Sequence, residues 1–119
     1  TMCALHGYAG NYKFAWAGIS PAGCQCSMFN PSVNYYPPVD AAVNWMANGL
    51  AKTATDPFGS AWYYYGNFRF IENADQCSGY YTNAYIASNG AYYNMYVSGR
   101  YYLVQTNWNL RLGACSMYP

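Results

Sequence analysis

Two turn signals, Asn89-Gly90 and Ser98-Gly99, constrain the C-terminal part of the chain more than any other feature. Asn-Gly supplies the positive φ that a two-residue type I′ hairpin requires at both central positions, and Ser-Gly does so less strongly. Folding the chain at both places turns residues 79–113 into a three-stranded antiparallel meander. Ile86 then faces Tyr93 and Ala84 faces Met95; across the second turn Met95 faces Tyr102 and Tyr93 faces Val104. Side chains alternate across a sheet. One face of the meander therefore collects Thr82, Ala84, Ile86, Tyr93, Met95, Val97, Tyr102, Val104, Trp108, Leu110 and Leu112, a predicted core. The other collects Tyr85, Tyr92, Asn94, Tyr96, Tyr101, Gln105, Asn107 and Arg111, with Asn83 and Asn109.

That second face is neither apolar nor charged. Aromatic planes take up the C–H face of a pyranose, and amides bond its hydroxyls as donors and acceptors. The same residues suit contact between proteins, because tyrosine brings large area at low entropy cost. A third reading packs the face beneath a loop or helix.

Charge is scarce: five Lys or Arg, four Asp or Glu and one His in 119 residues leave a net +1. A nucleic-acid surface needs a basic stripe and an electrostatic membrane anchor needs a basic cluster, so neither partner is expected. Sixteen tyrosines rule out a solvated disordered tract. Low net charge leaves little repulsion between copies, which favours self-association. No apolar run approaches a membrane span, so membrane insertion is not expected. Thr1 fits a processed chain and a fragment alike. The length predicts a single domain.

Cys3, Cys24, Cys26, Cys77 and Cys115 in so short a chain point to disulfides and a secreted, extracellular or periplasmic location. Cys24 and Cys26 are too close to bridge each other comfortably. The preferred pairing joins Cys77 to Cys115 and Cys3 to Cys24 or Cys26, leaving one cysteine over.

Upstream, Tyr12, Phe14 and Trp16 alternate with smaller or polar residues as in a strand, and 24–29 offers a second short one. Pro37-Pro38 opens a helix over 39–52, with Asp40 at its positive end and Lys52 at its negative end. Val39, Val43, Met46 and Leu50 recur at helical spacing and predict the buried stripe, leaving Asn44, Asn48 and Lys52 outside. Residues 60–72 read as an alternating strand or tight hairpin turning at Gly66-Asn67. The fold class is α+β, mainly antiparallel sheet of five or more strands with one covering helix, stabilised by disulfides.

Catalytic motifs are thin. His6 is the sole histidine, and no nucleophile elbow accompanies it. Glu72 with Asp75, or Glu72 with His6 and Arg69, form paper acid–base sets. Cys24, Cys26, Met28, Met2, Cys3 and His6 are soft ligands without zinc spacing, and disulfides explain the cysteines more simply. No cofactor or metal is expected. The leading expectation is a non-enzymatic module binding a glycan or cell-surface receptor through the tyrosine face. The alternatives are a structural subunit of an extracellular filament and a small secreted hydrolase.

Overall fold

A computed structural model describes residues 3–21, 26 and 31–118. The architecture is α+β, built from small antiparallel β-hairpins, two helices and two disulfides. Strands β1 (Ala4–Ala9) and β2 (Tyr12–Ala17) form the first hairpin, with Ala9 opposite Tyr12 across a turn that Gly10 opens at φ +56°. The strand expected over 24–29 lies outside the described residues except Cys26, and so does Cys24. Helix α1 (Pro37–Thr55) carries its prolines in the first turn and ends where Asp56 N–H bonds the Lys52 carbonyl. It packs on β1–β2 at Gly49, where a Cβ would stand 3.2 Å from Ala15 Cβ and 3.6 Å from the Leu5 carbonyl. A side chain there would need helix and hairpin to shift apart by a few tenths of an ångström.

The helix does not bury the stripe its spacing predicts. Its buried residues are Asp40, Ala41, Asn44, Asn48 and Gly49, whereas Leu50 is 57% exposed. The cause lies in residues 104–106, a buried segment outside any sheet ladder. Buried backbone groups must find partners, and here side chains and one loop carbonyl supply them. Gln105 N–H donates to Asn44 Oδ1 (2.7 Å), and the Asn94 amide both donates to the Val104 carbonyl (2.8 Å) and accepts from its N–H (3.0 Å). Thr106 N–H donates to the Tyr80 carbonyl (2.9 Å). The Gln105 side chain, 3% exposed, accepts from Asn48 and donates to the Ala74 carbonyl. Burial pushes the Tyr81 phenol above its usual range, and a hydrogen bond from the Asn44 amide partly offsets that.

Strands β3 (Tyr63–Gly66) and β4 (Arg69–Glu72) make the expected tight hairpin, turning one residue later than predicted, on Asn67 and Phe68 at φ +50° and +60°. Helix α2 (Asn73–Gln76) follows, capped by reciprocal bonds between Glu72 and Asp75.

The meander is a set of staggered two-stranded hairpins rather than one sheet. Strands β5 (Tyr85–Ile86) and β6 (Tyr92–Tyr93) pair Ile86 with Tyr92, one residue off the predicted register. Asn89-Gly90 does turn the chain, but as part of a three-residue loop. Gly90 N–H bonds the Ala87 carbonyl, Gly90 takes φ +80°, and Ala87 N–H bonds the Ala91 carbonyl. This is a type I turn with a glycine bulge, and one extra residue exchanges the two faces of a strand. Ser98-Gly99 makes the two-residue turn, with φ of +50° and +82°. It joins β7 (Met95–Val97) to β8 (Arg100–Tyr102), and Met95 faces Tyr102 as predicted. Strands β9 (Asn107–Asn109) and β10 (Ala114–Ser116) close on a turn through Leu110 to Gly113, so Arg111, Leu110 and Leu112 lie in a turn rather than on a strand.

The predicted core face fails with the register. Of its residues only Val104 is buried; Ile86, Met95, Val97, Leu110 and Leu112 are exposed. The covering helix lies mainly against β1–β2. Cys77–Cys115 bridges as preferred, tying the end of α2 to β10, and Cys3 pairs with Cys26.

Two stability outcomes follow. Asn44→Leu, which strands the Gln105 N–H, lowers stability by about 1–3 kcal/mol, whereas Leu50→Ala changes it by less than about 0.5 kcal/mol. Urea midpoints with unchanged slopes check both. Replacing Cys77 and Cys115 together by serine releases a loop of sequence separation 38. The loop-entropy relation places that loss at up to about 4 kcal/mol.

Candidate functional site

The hairpin register decides which tyrosines meet. Tyr85 faces Tyr93 across β5–β6, and Tyr96 faces Tyr101 across β7–β8. Tyr93 and Tyr101 join the two pairs. Ring centroids run Tyr85–Tyr93 at 5.7 Å, Tyr93–Tyr101 at 4.3 Å and Tyr101–Tyr96 at 4.8 Å, each pair tilted by 32–44°. Tyr85, Tyr96 and Tyr101 are exposed and Tyr93 is half-buried. The two central rings of the row flank an open cleft of about 350 Å³, whose lining includes Tyr93, Tyr101, Tyr35, Ile86 and Ser88.

Loop 31–36 forms the far wall and is held from below by α1. The buried Asp40 carboxylate accepts from Asn34 N–H (2.9 Å) and from Asn34 Nδ2 (2.7 Å), and the same Nδ2 donates to the Tyr101 carbonyl (2.8 Å). The Asn89 amide crosses from the β5–β6 turn to the Ser32 carbonyl (2.9 Å). Between these anchors Tyr35 sits exposed at φ +61°, a conformation that a bulky residue holds only when its surroundings impose it. No Asp, Glu, Lys or Arg lines the cleft. It offers aromatic planes, a serine hydroxyl and phenols, which suits an uncharged polyhydroxylated ligand better than an ion.

The expected face thus divides. Tyr85, Tyr96 and Tyr101 come together, and Tyr93, assigned by its parity to the core, completes their row. Tyr92 lies opposite Ile86 and shares the other side of its hairpin. Asn94 and Gln105 leave the face, since their amides serve the buried backbone. Asn107 and Arg111 line a different cleft, beside Trp62 and Trp108. Tyr35 was missed because the loop carrying it meets the row only through Asn34 and Asn89. The Asn-rich stretch 30–34 was the available signal.

One paper acid–base set does assemble. His6 Nε2 lies 2.8 Å from Glu72 Oε1, and Lys52 Nζ lies 3.2 Å from Glu72 Oε2 and 2.8 Å from Asp75 Oδ1. Arg69 is exposed and belongs to none of these pairs. All four side chains are largely covered, and His6 Nδ1 is buried without a hydrogen-bond partner. Such a group clasps β1, α1 and the start of α2 together. Cys3 and Cys26 are consumed in a disulfide and supply no thiolate for copper. Among the described residues no group of three or more His, Cys, Asp or Glu could hold a metal ion. No described helix is long and apolar enough to cross a membrane.

Removing the Asn34 side chain cuts its amide's bonds to Asp40 and to the Tyr101 carbonyl and leaves only the backbone N–H bond to Asp40. Asn34→Ala is expected to cost about 1–3 kcal/mol in chemical denaturation and to speed amide exchange in residues 31–36.

Compared with known proteins, residues 1–118 match the phosphate-induced protein 1 conserved region, and the chain belongs to that family. No curated protein and no solved structure matches it.

Proposed function

Starting from membership of the phosphate-induced protein 1 family, we propose that this chain is a secreted recognition module that binds a neutral glycan, free or on a cell surface. The family description names an inducer and not a ligand, so the reading rests on the site. Its carrying observation is the row Tyr85–Tyr93–Tyr101–Tyr96, four rings in unbroken contact whose central pair lines an uncharged cleft. Successive rings at this spacing offer stacking planes to consecutive sugar units, and each phenol adds a donor and acceptor. The tie from Asp40 through Asn34 to Tyr101 holds part of the row before any ligand arrives, which lowers the ordering cost of binding. Two disulfides support an oxidising compartment such as the extracellular space.

A second reading has its own observation. At the β3–β4 tip Phe68 is 95% exposed, and behind it Tyr63 and Tyr65 pack edge-on to the exposed Phe70. An aromatic projection of this kind on a chain with a net charge of only +1 favours contacts between copies, as in an extracellular assembly.

The test is a neutral-oligosaccharide array followed by calorimetric titration of the hits, with light scattering on the same sample. Saturable binding by a monomer, weakened about tenfold or more in Tyr101→Ala and Tyr96→Ala and unchanged in Phe68→Ser, is the expected outcome. No saturable binding across the array, together with large species that Phe68→Ser dissolves, replaces glycan recognition by assembly.

A further inference from the structure

We propose that the cleft between Trp62 and the β9–β10 hairpin is a second, separate binding site, taking the carboxylate-bearing ring of an acidic sugar. The cleft encloses about 470 Å³, within the usual range for a small-ligand site. Its apolar walls are Trp62, Trp108, Met117 and Tyr118, and its polar groups include Arg111 and Asn107.

The walls are set in place by the fold. The Asn73 side chain donates to the Trp108 carbonyl (2.9 Å) and accepts from its N–H (3.1 Å), locking β9 to α2. The Cys77–Cys115 disulfide anchors β10 to the same helix. Asn109 Nδ2 donates to the Tyr118 carbonyl (2.9 Å), which holds the rim. Opposite them Trp62 is half exposed at φ +54°, a strained conformation for so bulky a residue and one that recurs where a side chain is held for a ligand.

Within this frame one charged group lacks a counterpart. Arg111 is exposed and enters no ion pair among the described residues, and no carboxylate lines the cleft. Asn107 lines the same cleft with its amide. A free guanidinium calls for a carboxylate, a side-chain amide for a hydroxyl, and an indole face for a C–H surface. A pyranose bearing a carboxylate supplies all three. Uronic and sialic acids share that chemistry. The uncharged tyrosine cleft has no cation to match it, so this site does not depend on that one.

The test follows tryptophan fluorescence of the whole chain during titration with trigalacturonate and with sialyllactose, each beside its neutral counterpart, the galacturonate methyl ester and lactose. At least one acid should bind saturably and its neutral counterpart about tenfold more weakly; which acid binds separates the two sources. Arg111→Gln, a change at an exposed turn, should erase the preference for the acid, while Tyr101→Ala leaves acid binding intact. The proposal is overturned if neither acid saturates, if the neutral counterparts bind equally, or if Arg111→Gln binds the acid as well as the natural chain. Acid binding that Tyr101→Ala abolishes moves the ligand to the tyrosine row and overturns it equally.

Discussion

Four side chains at successive one-turn intervals of α1, Asp40, Asn44, Asn48 and Lys52, hold the loops of this molecule to its helix. Asp40 fixes Asn34, Asn44 caps the Gln105 N–H, Asn48 meets the Gln105 amide, and Lys52 joins Glu72 and Asp75. Residues four apart share a helix face, so one polar ridge reaches three separate segments. The segment around Gln105 runs buried without a strand partner, and every backbone group it cannot pair in a sheet must be paired by a side chain or remain unsatisfied at considerable cost. Short hairpins that fail to merge into one sheet are tolerable because this ridge, with Asn94, takes over the missing ladder.

A polar interior displaces apolar residues outward. The buried apolar set is small, chiefly alanines, half-cystines, Ile71 and Val104, while tyrosines and phenylalanines crowd the surface. Disulfides then carry stabilisation that a larger core would otherwise supply. The exposed aromatics are not scattered evenly. Apart from those on β1–β2 and Phe58, many gather in the tyrosine row, at the β3–β4 tip and around Trp62, three surfaces of different chemistry. The first is uncharged, the second projects, and the third is concave with a single arginine.

The tyrosine row depends on the ridge through few links. Asp40 acts on Asn34, Asn34 on the Tyr101 carbonyl, and Tyr101 on the ring contacts with Tyr93 and Tyr96. Secondary structure alone would leave the row on two short hairpins of two and three residue pairs, too small to be rigid by themselves.

What the amino-acid sequence determined was local. Proline at the start of α1, the glycine turns at 89–90 and 98–99 and alternation at Tyr12–Trp16 are properties of a few neighbouring residues, and they were legible; the preferred pairing of Cys77 with Cys115 agrees with the structure but spans 38 residues. So was the concentration of tyrosines in β5 to β8. Only the tertiary structure decided which face of the helix is buried, because an asparagine reads as a surface residue until a distant backbone is shown to need it. It also decided the register after Asn89-Gly90, where one extra loop residue moved Tyr93 from a supposed core into the site. Hairpin turns are chosen by local φ preferences, but the pairing of buried polar groups is a condition on the whole chain. That condition sent Asn94 and Gln105 inward and left Asn107 and Arg111 beside Trp62.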